Sequence, residues 1–299
     1  IMNLTNCLVL FDKTSTQSKG LGIAILGAVL MSFDPIFIKG SGISGLDAVF
    51  LFGLFTAISM LGLLQLINKK GAISTIKTNG WPLWLSSVLI LISASSLVIS
   101  LKYTSVTNTF VILCAAPAIT AVFSRILLGE RTSLQTWLII FVVMAGVVTV
   151  VSGSLNSIHL VGDLLALLSV LTLSFNQTFL RKHQEVSRVG TLGLAGILMT
   201  LSLFHFVTPS EYSLNTWLIM AMMGLFTAPI GRVLSQVATR YISATEVGVI
   251  LVLEAAIAPF LAYLFFKEIP TSQSILGGTI IFTAILFFII SSNTKAKQE

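Results

Sequence analysis

Residues 244–266 form an apolar run with a carboxyl group, Glu254, about ten residues from either end. An ionisable side chain at the centre of a membrane helix costs roughly 2.5–3.5 kcal/mol on insertion scales, so such groups mark substrate or proton pathways. A carboxyl there can exchange a proton or hold a cation. The bland alternatives are a protonated glutamate bonded to a neighbouring helix and an ion pair with Arg232. Asp34 is a second acid inside an apolar run, followed at once by Pro35. Proline removes a backbone hydrogen bond, and opened helices offer carbonyls to ligands in many transporters. The alternative for Asp34 is a cap near the outer end, paired with Lys39. Arg232 follows Pro229-Ile230-Gly231 and has the fork to hold a carboxylate or phosphate bidentately. It could equally snorkel to headgroups, and Gln236, one turn on, shares both readings. Asn176 and Gln177 are neutral polar neighbours inside another span. Asn108 and Glu246 lie near the ends of theirs, and Glu246 after Thr245 also suits a helix start. The candidate substrate-binding set is Asp34, Asn108, Asn176, Gln177, Arg232, Glu246 and Glu254, with Glu254 and Asp34 as candidates for proton coupling.

Other chemistries lack their residues. His159, His183 and His205 show no metal-ligand spacing, and there is no glycine-rich phosphate loop with a lysine. No span carries a nucleophile elbow. The sequence therefore implies no metal and no cofactor. Cys7 and Cys114 are too far apart in sequence and setting to suggest a disulfide. The apolar run Cys7–Phe11 is too short for a signal-peptide core.

These residues sit in a chain of 299 that is 55% hydrophobic and 9% charged, with a mean hydropathy of +0.99. That composition excludes a soluble protein and predicts an all-α membrane protein. Ten apolar segments can be marked, at 20–38, 46–67, 82–101, 104–128, 134–153, 161–180, 190–207, 214–238, 244–266 and 272–292. With the N-terminus placed in the cytoplasm, 14 of the 17 Lys and Arg fall on the inner side, as the positive-inside rule requires. Only Lys39, Lys102 and Lys267 fall outside, so both termini are expected in the cytoplasm.

The chain also repeats itself. Residues 102–135 align with 240–273 at a constant offset of 138, and Gly20–Lys39 with Gly162–Arg181 at an offset of 142. Helices 1–5 thus recur as 6–10, and since five is odd the second half enters the membrane inverted. Such inverted 5+5 repeats are characteristic of secondary transporters, which bind substrate near the midplane between the halves. Trp81, Trp84, Trp137 and Trp217, with Tyr103 and Tyr241, read as interface belts. Lys102 and Arg240 read as anchors. The run Ser93-Ala94-Ser95-Ser96 and Gly22, Gly27, Gly53 and Gly62 suit close helix packing.

The stretch Gly129-Glu130-Arg131-Thr132-Ser133-Leu134-Gln135-Thr136-Trp137, followed by Met144-Ala145-Gly146-Val147, resembles the helix 4–5 junction of EamA-type proteins in the drug/metabolite transporter superfamily. Leu253-Glu254-Ala255 with Lys267-Glu268 resembles the matching segment of helices 9 and 10. The resemblance covers residues 20–292. It implies ten helices, alternating access, and transport of amino acids or other small metabolites by exchange or proton coupling. It departs where many members carry an arginine on helix 2, here Phe52-Gly53-Leu54, and a proline after the glutamate, here Ala255.

The expected organisation is a cytoplasmic segment 1–19, a first EamA-like repeat 20–153, a second 154–292 and a cytoplasmic tail 293–299. The setting is a bacterial inner membrane, with lipids and a small-molecule substrate as partners, no nucleic acid, and a monomer or homodimer. The competing reading is a membrane enzyme acting on a lipid-linked substrate in a midplane cavity. It needs a nucleophile or metal-binding acid cluster, which the sequence does not supply. A non-transporting scaffold would leave the intramembrane acids without a purpose.

Overall fold

Backbone that cannot reach water must satisfy its own hydrogen bonds, and within a single span only a helix does so. The computed structural model describes residues 16–67, 71–129, 134–153, 159–242 and 244–296, and among these every regular element is helical. The turn motif at 130–133, the charged turn at 68–70, Cys7 and the last three residues lie outside the described residues. In chain order the helices are α1 Thr16–Met31, α2 Asp34–Gly40, α3 Gly45–Ile67, α4 Gly71–Tyr103, α5 Val106–Leu113, α6 Ala116–Leu128 and α7 Leu134–Ser152. They continue as α8 His159–Lys182, α9 Arg188–Leu203, α10 Leu214–Met222, α11 Ala228–Ala238, α12 Ala244–Phe266 and α13 Ser272–Ala296. Eight helical stretches among the described residues are long and apolar enough to cross a bilayer.

Three of the spans are broken, each just ahead of a proline. α1 and α2 meet at Ser32-Phe33, because Pro35 has no N–H to offer the Met31 carbonyl. α5 and α6 meet at Cys114-Ala115 before Pro117, and α10 and α11 are joined by a π-helical turn, Met223–Thr227, before Pro229. Pro259, by contrast, sits inside an unbroken α12. The sequence predicts a span beginning at 82, yet helix starts at Gly71. Gly80 adopts φ 58°, ψ −152°, so Gly71–Asn79 forms a separate helical turn set at an angle to the span.

The helices pack in a closed set of pairs. α3 packs on α9, α7 on α13, and both α5 and α6 on α12. α8 lies against α4 and α6, and α1 lies against α11 and α12. Without a hydrophobic driving force between helices in lipid, close approach through small residues supplies the attraction. Three crossings bring glycine against glycine. A Cβ on Gly196 would lie 2.6 Å from Ala57 N and 2.7 Å from Gly53 O, and one on Gly27 2.8 Å from Gly231 O. One on Gly277 would lie 2.7 Å from Gly146 O. Gly22 and Gly62, expected as packing positions, have nothing within 4 Å, so their faces look away from other helices. Because the atoms facing Gly196 are backbone, Gly196→Leu is expected to cost about 3 kcal/mol or more of stability. Thermal unfolding in detergent would show it, beside a near-silent Gly62→Leu.

Candidate functional site

The helix breaks put polar groups at the centre of the bundle. Asp34 opens α2, is 1% exposed, and accepts a hydrogen bond from Arg232 Nη1 on α11 at 2.9 Å through Oδ2. Its Oδ1 has no partner. Arg232 also donates to the Ala228 carbonyl at 3.4 Å and stacks its guanidinium over Phe52, 4.9 Å from the ring centroid. The aromatic face attracts the cation. Where the family resemblance leads one to expect an arginine on helix 2, this chain has an aromatic platform there and brings its arginine from α11.

Arg232 and Glu254 both line one cavity between the helices at the centre of the bundle. Its wall is largely aliphatic, from Leu89, Ile90, Leu173 and Leu251, and its polar lining includes Asn176, Gln177, Ser235 and Gln236. Glu254 is 6% exposed. Arg232 pairs with Asp34 rather than with Glu254, which leaves Glu254 with no hydrogen-bond partner among the described residues. Asn176 Oδ1 accepts from Ser86 Oγ at 2.7 Å, and Gln177 Nε2 donates to Ser235 Oγ at 3.5 Å. Asn176 Nδ2 and Gln177 Oε1, both buried, have no partner. A buried polar atom without a hydrogen bond costs about 1–3 kcal/mol, so these two atoms and Asp34 Oδ1 are places where a ligand has something to gain.

Two of the predicted residues lie elsewhere. Asn108 belongs to a separate buried cluster: its Nδ2 donates to both Asp163 oxygens at 3.3 Å, and its Oδ1 accepts from Ser274 Oγ. Thr104 Oγ1 donates to Asp163 at 2.7 Å, joining the start of α8 to the α4–α5 corner. Glu246 is half-buried in the first turn of α12 and does not line the cavity. Asp163 itself is fully buried. It stands two residues from the expected start of its span, where an acid reads as a cap, and that is why the sequence concealed it.

Ion pairs close the ends of the bundle. Lys39 does not reach Asp34; it binds Glu268 at 2.5 Å, and Glu268 also accepts from the Val106 amide at the start of α5. Lys102 donates to Ser41 Oγ. In the loop before α10, burial and the neighbouring Asp47 carboxylate, bonded at 2.5 Å, push the Tyr212 phenol up. At the opposite end Arg188, 2% exposed, donates to the carbonyls of Leu180, His183, Gln184 and Val186. It thereby satisfies the Leu180 carbonyl in the last turn of α8 and three carbonyls of the turn that follows. In the sequence this arginine counts only as an inner-side charge. Trp81 and Trp84 are exposed as a belt requires, whereas Trp217 packs edge-on against Phe55 at 6.0 Å. Among the described residues no group of three or more His, Cys, Asp or Glu could hold a metal ion.

Comparison with known proteins places this geometry. The chain is 23% identical over 295 residues to an S-adenosylmethionine uptake transporter of Rickettsia prowazekii, covering 96% of this chain and 98% of that protein. It is 24% identical to the protein of the same name from Rickettsia bellii, covering 96% and 99%. A crystal structure at 15% identity superposes with a TM-score of 0.68 over 89% of this chain and 95% of the other, a likeness of fold alone. The model of the EamA-like transporter family matches residues 18–152 and again residues 160–290. The chain belongs to the EamA-like transporter family and is a multi-pass membrane transporter of a small metabolite, not an enzyme.

Proposed function

We propose that the protein is a secondary transporter that carries a cationic, amino-acid-bearing metabolite of the S-adenosylmethionine type through the central cavity by alternating access. The observation that carries this reading is the charge balance of the site. Two carboxyl groups, Asp34 and Glu254, face one guanidinium, Arg232, and the pairing of Arg232 with Asp34 leaves Glu254 for a ligand. With both acids ionised the site bears one net negative charge and suits a substrate with one net positive charge. A proton on Glu254 would neutralise the empty site, which makes proton exchange a natural coupling. Asn176 and Gln177 complete the lining, whereas Asn108 and Glu246 stand outside it. The names of the two rickettsial relatives point to the same substrate class.

The transport cycle follows from ten spans in two inverted repeats, 20–153 and 154–292, with both termini in the cytoplasm. Two facts support this arrangement. Repeat mates make matching contacts: Gly20 lies under Ile242 and Gly162 under Thr104, and these are the same pair under the sequence offsets. The pairs α8 with α4 and α1 with α11 correspond in the same way, as do α8 with α6 and α1 with α12. Thermal unfolding of the purified protein against a panel of sulfonium compounds, amino acids and nucleosides tests the substrate class. A ligand at about 100-fold its Kd should add roughly 2.7 kcal/mol. Stabilisation by S-adenosylmethionine is expected. Stabilisation by anionic metabolites alone would overturn the charge argument.

A further inference from the structure

The cavity lining is more aliphatic than a bare amino acid requires. A charged head bound at Arg232 and Glu254 would leave the wall of Leu89, Ile90, Leu173 and Leu251 bare. Beside that wall the cavity lining holds one buried donor, Asn176 Nδ2, and one buried acceptor, Gln177 Oε1, both without partners. Ser86 donates to the Asn176 oxygen and Ser235 accepts from the Gln177 nitrogen, which leaves the Asn176 donor and the Gln177 acceptor over.

We propose that Asn176 and Gln177 form a base-recognition subsite for a flat aminated heterocycle, a 6-aminopurine in the first instance, carried by the substrate of the transport reading above. The exocyclic amine donates to Gln177 Oε1 and a ring nitrogen accepts from Asn176 Nδ2, while the ring faces cover the leucine and isoleucine side chains. Both unpaired atoms are satisfied at once, and the aliphatic wall gains a planar partner. A base bearing a carbonyl in place of the amine presents an acceptor where Gln177 already offers one. Discrimination between the two is strong where a buried group would otherwise be left unpaired. The subsite rests on the cavity being the transport site, but its recognition of the base is separable from the charged head.

The test uses the protein in detergent and in proteoliposomes, with Asn176→Leu and Gln177→Met as near-isosteric variants that each replace the whole carboxamide by an apolar group. Adenosine, which has the base and no charged head, is expected to raise the unfolding temperature of the wild type, and inosine is expected to fail. The adenosine shift should vanish in both variants. In proteoliposomes, the preference for S-adenosylmethionine over S-methylmethionine should fall about tenfold in each variant. Equal shifts by adenosine and inosine, or an unchanged preference in both variants, would overturn the subsite. If adenosine binds through these residues while no sulfonium is carried, the subsite stands and the charged-head reading falls. If S-adenosylmethionine is carried with no adenosine shift and no change in preference, transport stands and the subsite falls. Melting of the unliganded variants near the wild-type temperature separates lost recognition from lost folding.

Discussion

Glu254→Gln is expected to weaken binding of a cationic substrate by roughly 30-fold to several thousand-fold, because truncating one partner of a desolvated charge pair costs about 2–5 kcal/mol. The residue is the one carboxyl at the cavity without a hydrogen-bond partner among the described residues, whereas Asp34 is committed to Arg232. The variant should also change the response to pH. In the wild type a proton and the substrate cation compete for one carboxylate, so the apparent KM should rise as the loading side is acidified. With glutamine there is nothing to protonate, and the KM should be high and flat. Initial uptake rates at two pH values, as a function of substrate concentration, read both effects. A variant with the wild-type KM and pH response would remove Glu254 from the site.

The second large effect belongs to the ion pair. Asp34→Asn leaves the Arg232 guanidinium, itself only 13% exposed, without its countercharge. Removing one member of a buried pair costs about 3–5 kcal/mol, and the Phe52 face recovers only part of that. The double substitution Asp34→Asn with Arg232→Gln removes both charges and should restore most of the lost stability. Transport should not return with it, because the fork that would hold the substrate carboxylate is gone. Chemical denaturation of the three variants separates the two roles. A double variant no more stable than Asp34→Asn would show that the pair's partners act independently.

What the sequence made legible follows from periodicity and repetition. Apolar runs of bilayer length, separated by charged turns, located the helices, and Pro35 marked a break within its span, since it loses a backbone bond to the residue four before it. Small residues in the spans anticipated the close approaches at Gly27 and Gly53, though not the open faces of Gly22 and Gly62. Glu254, Arg232, Asn176 and Gln177 were also legible as lining residues, since polar side chains deep in a span have few other uses. Pairing was not legible. That Arg232 turns to Asp34 and Lys39 to Glu268 depends on which helix faces touch, and hydropathy does not encode faces when every face is apolar. For the same reason Asn108 could not be separated from the central set. Its partner Asp163 lies near a span end, where acids are ordinary. The helical turn before Gly80 was hidden because its mixed polarity resembles a loop, and only the positive φ of that glycine sets it apart.

The most direct measurement is uptake of labelled S-adenosylmethionine, and of any ligand that stabilises the protein, into proteoliposomes holding the purified chain under an imposed pH gradient and under counter-exchange. Saturable uptake above that of empty liposomes, driven by one of these gradients and lost in Glu254→Gln, is the expected result. Rates equal to those of empty liposomes under every gradient, from protein that melts cooperatively and binds its ligand, would contradict secondary transport through this cavity.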